Sequence, residues 1–156
     1  MIEDVLVSNC IAETHKHVKA VSANINQFVH ELLDRAEKHD ASKFEEPELS
    51  VFAVNTPKLS KTEYGCAEYK ALLDETKVAV SHHHANNRHH PEFHKNGIND
   101  MTLVDLVEML SDWKASTARV RNGNIRKSIE VNATRFEISP QLQRILENTV
   151  KETFKD

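Results

Sequence analysis

Ile25-Asn-Gln-Phe28-Val29-His-Glu-Leu32-Leu33-Asp-Arg35-Ala36-Glu-Lys-His39-Asp40-Ala-Ser-Lys43-Phe44 holds a helix and the start of a chemical site in one segment. Ile25, Phe28, Val29, Leu32, Leu33 and Ala36 recur at i, i+3, i+4, i+7, i+8 and i+11. That is the apolar stripe of an amphipathic helix, so this face is expected to be buried. Three and four residues further along the same face come His39 and Asp40, and three beyond them Lys43. An imidazole and a carboxylate are thereby delivered side by side to the interior as the helix runs out. Burying them unpaired costs several kcal/mol, and a divalent metal ion is one partner that offsets this. A plainer reading is a polar helix end whose Asp and Ser cap whatever follows.

Upstream, residues from about Glu3 to Val21 read as a first helix carrying Ile11, Val18 and Val21 with His15 and His17. His17 precedes His39 by 22 residues, ~33 Å along an unbroken helix. If both serve one site, the chain must reverse between them, and Ser22-Ala-Asn24-Ile-Asn26 supplies cap-type residues there. Downstream, a short helix opens near Phe44-Glu-Glu-Pro47-Glu, and Val54-Asn-Thr-Pro57-Lys-Leu-Ser reads as a loop, with Lys61 to Gly65 as its tail. A helix from about Cys66 to His83 follows, with Tyr69, Leu72, Leu73 and Val80 as inner residues. Asn96-Gly97 and Asn99-Asp100 mark an irregular stretch. Thr102 with Asp105 resembles a capping box and opens a helix reaching about Val120, before Asn122-Gly123. Two more helices, about Ile125 to Phe136 and from the Ser139-Pro140 cap to near Phe154, complete the chain.

The totals agree with that pattern. With 156 residues, three glycines and four prolines, the chain is expected to be all-α and a single domain. A net charge of -4 argues against general binding to nucleic acid or a membrane surface. Two cysteines, Cys10 and Cys66, are too few for a disulfide framework. No apolar run approaches the roughly 18 residues of a membrane span, and the N-terminus lacks a basic-then-apolar signal. A soluble protein of the cytoplasm is expected.

Six of the ten histidines fall in Ser81-His82-His83-His84-Ala-Asn-Asn87-Arg88-His89-His90-Pro91-Glu92-Phe93-His94. Neutral imidazole is the commonest metal ligand. Consecutive helical residues point about 100° apart, so His82, His83 and His84 cannot all reach one ion. One or two of them, with His89 or His90, form the expected set. An exposed loop that binds metal adventitiously is the alternative. A His-Asn-His nuclease finger, spelled by His83, Asn87 and His90, would need a β-hairpin and a basic surface, and neither is evident in the sequence.

In the segment around Met109-Leu-Ser-Asp112-Trp113-Lys114, the residues Leu103, Leu106, Val107, Leu110 and Trp113 form an apolar arc that also contains Lys114. Asp105, Glu108 and Asp112 form an acidic stripe on roughly the opposite side. Such a stripe is ordinarily a solvated face. It turns inward only if this helix is central and covered on both sides.

Taken in order, His17 followed by Val21, then His39-Asp40 with Lys43, then the histidine pairs, then Asp112, resemble the HD-domain metal-dependent phosphohydrolase superfamily. Within it the chain looks most like a small bacterial and bacteriophage family with an HHxxxxHHPE-type stretch. The 72 residues from Asp40 to Asp112 suit the group. The resemblance implies an HD-like bundle of six to seven helices, with a metal-site core over about 15–120 and a C-terminal helical appendage over about 125–154. It implies a first metal held by His17 (or His15), His39, Asp40 and Asp112. A second ion would be bridged by Asp40 and held by His83 with His89 or His90. The ion could be Mn, Fe, Co, Ni, Zn or Mg.

The chemistry implied is hydrolysis of a phosphoester on a nucleotide-sized substrate. Lys43 is placed to meet a phosphate oxygen, with Arg35, Arg88, Lys114 and Arg119 as further candidates. Glu92 or a spare histidine would be the general acid. Two other readings stay open: a di-iron oxygenase of the HD-like type, and a non-catalytic helical module stabilised by metal. A homo-oligomer, with the helices after Asn122 packing on a second copy, is also open.

Overall fold

The computed structural model describes residues 2–59, 61–62, 66–119 and 122–154, and among these it has six α-helices, three short 3₁₀ turns and no strand. The all-α expectation holds. The chain falls into two compact units, Met1–Glu37 and Lys38–Asp156.

The first unit is one helix, α1 (Ile2–Lys38), with Glu3 and Asp4 in its first turn where they complement the helix dipole. It runs through Ser22, Asn24 and Asn26 without a break, so the reversal expected there is absent. Each of these residues costs an interior helical position only ~0.5 kcal/mol relative to alanine, too little to break a long helix lacking glycine and proline. The stripe of Ile25, Phe28, Val29 and Leu33, expected to be buried, is exposed, and α1 has no buried residue.

The second unit begins with a 3₁₀ turn (Ala41–Phe44) and α2 (Glu48–Leu59). The loop expected from Val54 is instead helix, because Pro57 sits in the last turn, where its missing N–H forfeits a single hydrogen bond. Ser60 and most of the expected tail lie outside the described residues. α3 (Ala67–Asn86) is capped by Cys66, whose sulfur accepts from the Tyr69 amide at 3.3 Å. It packs along α2. Its buried residues are Leu72, Thr76, Ala79 and His83, while Leu73 and Val80, expected inside, are exposed. The inner face is rotated by about one residue, which carries the stripe directly onto His83.

Two 3₁₀ turns, Pro91–Phe93 and Gly97–Asp100, lead to α4 (Leu103–Ala118). Its capping box is formed as expected by Thr102 and Asp105. The expected end at Val120 lies outside the described residues. α5 (Ile125–Arg135) and α6 (Pro140–Thr153) start at the Asn124 and Ser139 caps. Met109 and Leu110 of α4 pack with Ile125, Ile129, Ala133, Ile138, Leu146 and Val150 into one apolar core. Each such side chain contributes ~1.5–3 kcal/mol by leaving water. Trp113 stacks on Phe136 at its margin, with ring centroids 6.4 Å apart. The C-terminal helices expected as an appendage therefore build the main core. No described helix is long and apolar enough to cross a membrane.

Candidate metal centre

The second unit gathers its polar interior along the face of α4 that adjoins this core. Asp40 ends the preceding helix in the left-handed region, at φ 58°. Aspartate tolerates that region better than most side chains, at a cost of ~1–2 kcal/mol. Its Oδ2 takes a hydrogen bond from Lys43 Nζ at 2.6 Å. Its Oδ1 is buried and has no hydrogen-bond partner. Around that oxygen stand His83 Nε2 at 3.3 Å and His89 Nε2 at 3.6 Å, and His90 Nε2 lies 2.8 Å from His83 Nε2. Asp40, His83, His89 and His90 each bring one ligand atom into a group in which all lie within 4.8 Å of one another. These residues could hold a metal ion. His39 adjoins them: its Nε2 is 3.6 Å from Asp40 Oδ2 and 3.8 Å from Asp112 Oδ1.

The far sides of the rings explain why the Nε2 atoms face inward. Glu48, at the start of α2, is fully buried and lies 2.7 Å from His82 Nδ1 and 2.9 Å from His83 Nδ1. Glu108 of α4 lies 2.9 Å from His39 Nδ1 and 3.1 Å from His89 Nδ1 through the same oxygen. An ionised carboxylate only accepts, so these four Nδ1 atoms carry the protons. The Nε2 lone pairs of His83 and His89 are left for the interior. Carboxylates orienting imidazoles from behind are the usual second layer of a metal site. Asn87 adds support, donating to Ser42 Oγ at 2.7 Å and to the His83 carbonyl at 2.8 Å.

Charges follow from this arrangement. Burial pushes the His90 imidazole down to about 3, helped by the neighbouring His89, His83 and His84 rings. Burial, then the Lys43 charge, also lowers His83. Both are neutral at pH 7, so His90 Nε2–H donates to His83. His39 is the opposite case, pushed up to about 10 by the Asp112 carboxylate, then by the Glu108 hydrogen bond. Burial alone would raise the Asp40, Glu48 and Asp112 carboxyls. The Lys43 bond to Asp40, the His82 bond to Glu48 and the His39 contact to Asp112 outweigh it and hold all three below the usual carboxylate range.

Of the residues singled out in the sequence, His39, Asp40, Lys43, His83, His89, His90 and Asp112 come together here. His17 belongs to the first compact unit. It lies within the unbroken α1, ~32 Å before that helix ends at Lys38, and the turn its role required is missing. His15 shares its fate, and Arg35 also lies on α1. Arg88 is already paired, though its side chain is 44 % exposed. It is clamped two-pronged on the buried Asp105 at 3.1 and 3.0 Å. Glu92 is held by Arg135 at 2.9 Å and stands 3.8 Å from His84. Lys114 lines a separate hollow with Arg126 and Lys151, and Arg119 caps the exposed end of α4.

The solvated-face reading of α4 falls: Asp105 is buried, Glu108 nearly so, and Asp112 half-buried. The nuclease-finger reading falls as well, since the described residues contain no hairpin and Asn87 serves Ser42 and His83. Sequence reasoning did not find Glu48, whose only signal was its place at a helix start. It had Glu108 in hand, but as part of the acidic stripe.

No curated protein and no solved structure matches the chain. Residues 6–152, nearly the whole length, match a family model. The chain thus belongs to the family described as a family of unknown function, DUF5662.

Proposed function

We propose that the protein is a metal-dependent phosphohydrolase of the HD type, cleaving a phosphoester of a nucleotide-sized substrate. The observation that carries this is the Asp40 oxygen, buried, without a hydrogen bond, and grouped with His83, His89 and His90, the Nδ1 atoms of the first two being held by carboxylates. A buried carboxylate oxygen in that setting is costly without a cation. Three imidazoles and a carboxylate suit a transition-metal ion better than magnesium. His39 and Asp112, adjoining this group, leave room in the donor set for a second ion.

A bound divalent ion supplies an acidified water and neutralises phosphoryl oxygens. The chain's own residues do the rest. Lys43, ion-paired with Asp40 and partly exposed, offers its ammonium to a phosphate oxygen at the mouth of the site. Glu48 and Glu108 fix the imidazoles so that no reorganisation is needed when charge develops. Glu92 is held by Arg135 and stands 3.8 Å from His84, so this pair adjoins the site where a leaving group would need a proton.

The test is metal analysis of the purified protein with a phosphate-release screen over nucleoside mono-, di- and triphosphates and cyclic nucleotides. Bound transition metal and release that disappears in Asp40→Ala are expected. Metal binding with no release under Mn, Co, Zn, Ni, Fe or Mg would refute the hydrolase. One second reading draws on the same excess of imidazoles: an iron pair that activates oxygen. Iron on purification with substrate-dependent oxygen uptake would select it.

A further inference from the structure

α1 presents a second pattern that the metal centre does not use. Ile11, Val18, Ile25 and Leu32 repeat every seven residues, and Val7, Thr14, Val21 and Phe28 repeat every seven between them. Together they alternate in steps of three and four over 26 residues. That 3.5-residue period is the seam of a left-handed coiled coil and differs from the 3.6-residue stripe of a helix lying on a globular core. The seam is open. Its apolar side chains from Val7 to Phe28 are between 40 % (Val21) and 58 % (Val7) exposed. The one polar position, Thr14, has its hydroxyl bonded to the Cys10 carbonyl at 2.8 Å, so it enters an apolar contact already satisfied.

We infer that α1 is a dimerisation helix that pairs with α1 of a second copy of this chain. Length selects that occupant. The seam spans 26 residues, whereas α2 to α6 have 12, 20, 16, 11 and 14, so no other described helix matches it end to end. Area agrees: six half-exposed seam side chains each leave on the order of 100 Å² open, so two copies cover on the order of 1,200 Å², enough for a specific interface. Charge does not oppose it, because the positions flanking the seam centre are His15, His17, Ser22 and Asn24. Leaving such a stripe in water would be unusual for a monomer.

Sedimentation equilibrium of the full chain is the test. The wild type is expected at twice 17.8 kDa and the double variant Val18→Asp, Ile25→Asp at 17.8 kDa. The double variant Ala23→Asp, His30→Asp puts the same charge on the outer face of α1 and is expected to remain dimeric. Should the seam double variant not fold, the single Ile25→Asn is expected to weaken association at least tenfold. A wild type that stays monomeric at about 100 μM overturns the inference. So does a seam variant that stays dimeric, or an outer-face variant that dissociates as fully as the seam variant.

Discussion

Two adjoining faces of α4 make contrasting interiors from one helix. Met109 and Leu110 pack into an apolar core with Ile125, Ile129, Leu146 and Val150. Asp105, Glu108 and Asp112 face arginine and histidine. The first interior is stable by itself, since apolar burial needs no partner chemistry. The second places carboxylates and imidazoles where water is scarce, and leaves Asp40 Oδ1 without a hydrogen bond. The difference teaches that the fold is held from the C-terminal side, which allows the other side to be arranged for binding at a cost in stability.

The sharpest way to break this contrast is to damage each side separately. Leu146→Ala opens a cavity in the apolar core and is expected to lower unfolding free energy by ~2–5 kcal/mol, while metal bound per folded chain stays unchanged. Asp40→Ala is expected to act mainly on the metal: binding is lost, while unfolding free energy in chelator falls less than for Leu146→Ala, because the Lys43 ion pair that goes with the carboxylate is partly exposed and its buried Oδ1 had no hydrogen bond. Added metal should then protect the wild type and not Asp40→Ala, by ~2.7 kcal/mol at a hundredfold excess over Kd. Equal loss of stability from both substitutions in chelator would erase the contrast.

Much of this was legible in the sequence, and the misses have physical causes. The caps Thr102 and Ser139-Pro140 marked helix starts because local side-chain geometry fixes them. The pairing of His39-Asp40 with the histidine tract was legible because imidazoles and carboxylates rarely go inside unpaired. The long α1 was not, since Ser22, Asn24 and Asn26 cap helices and also sit inside them at small cost. The inward turn of Glu108 was hidden because α4 is covered on two faces, and periodicity alone cannot reveal a second covering. Arg88 read as an open cation because its partner Asp105 looked committed to the capping box; the carboxylate serves both.

A smaller effect tests the layer behind the ligands. Glu108→Gln keeps size but presents one amide to the two N–H groups of His39 and His89, now sharing a poorer acceptor. Metal affinity is expected to fall ~10–100-fold by titration calorimetry. Glu48→Gln is expected to act similarly through His83. If either variant binds metal as tightly as the wild type, the carboxylates do not set ring orientation, and the polar side of α4 is packing alone.

The smallest effect is the pH dependence, and its sign distinguishes the two states of the site. In chelator, His39 is held at about 10 against an ordinary 6.5, so the folded chain grips this proton more tightly than the unfolded one. Its stabilisation is complete below 6.5 and is lost as pH rises through about 10. His90, pushed down to about 3, works from the other end: stability falls as pH drops from 6.5 toward 3, where only the unfolded chain takes up the proton. The chelated protein is therefore expected to be most stable near neutrality and to melt progressively lower from about pH 7 to 9. Metal reverses the alkaline limb, because ligating imidazoles must be unprotonated and binding releases protons. The difference in melting temperature between metal-loaded and chelated protein should accordingly widen from about pH 6 to 8.5. A constant difference across that range would mean that His39 gives up no proton to the ion and stands outside the ligand set, leaving Asp40, His83, His89 and His90 as the whole of it.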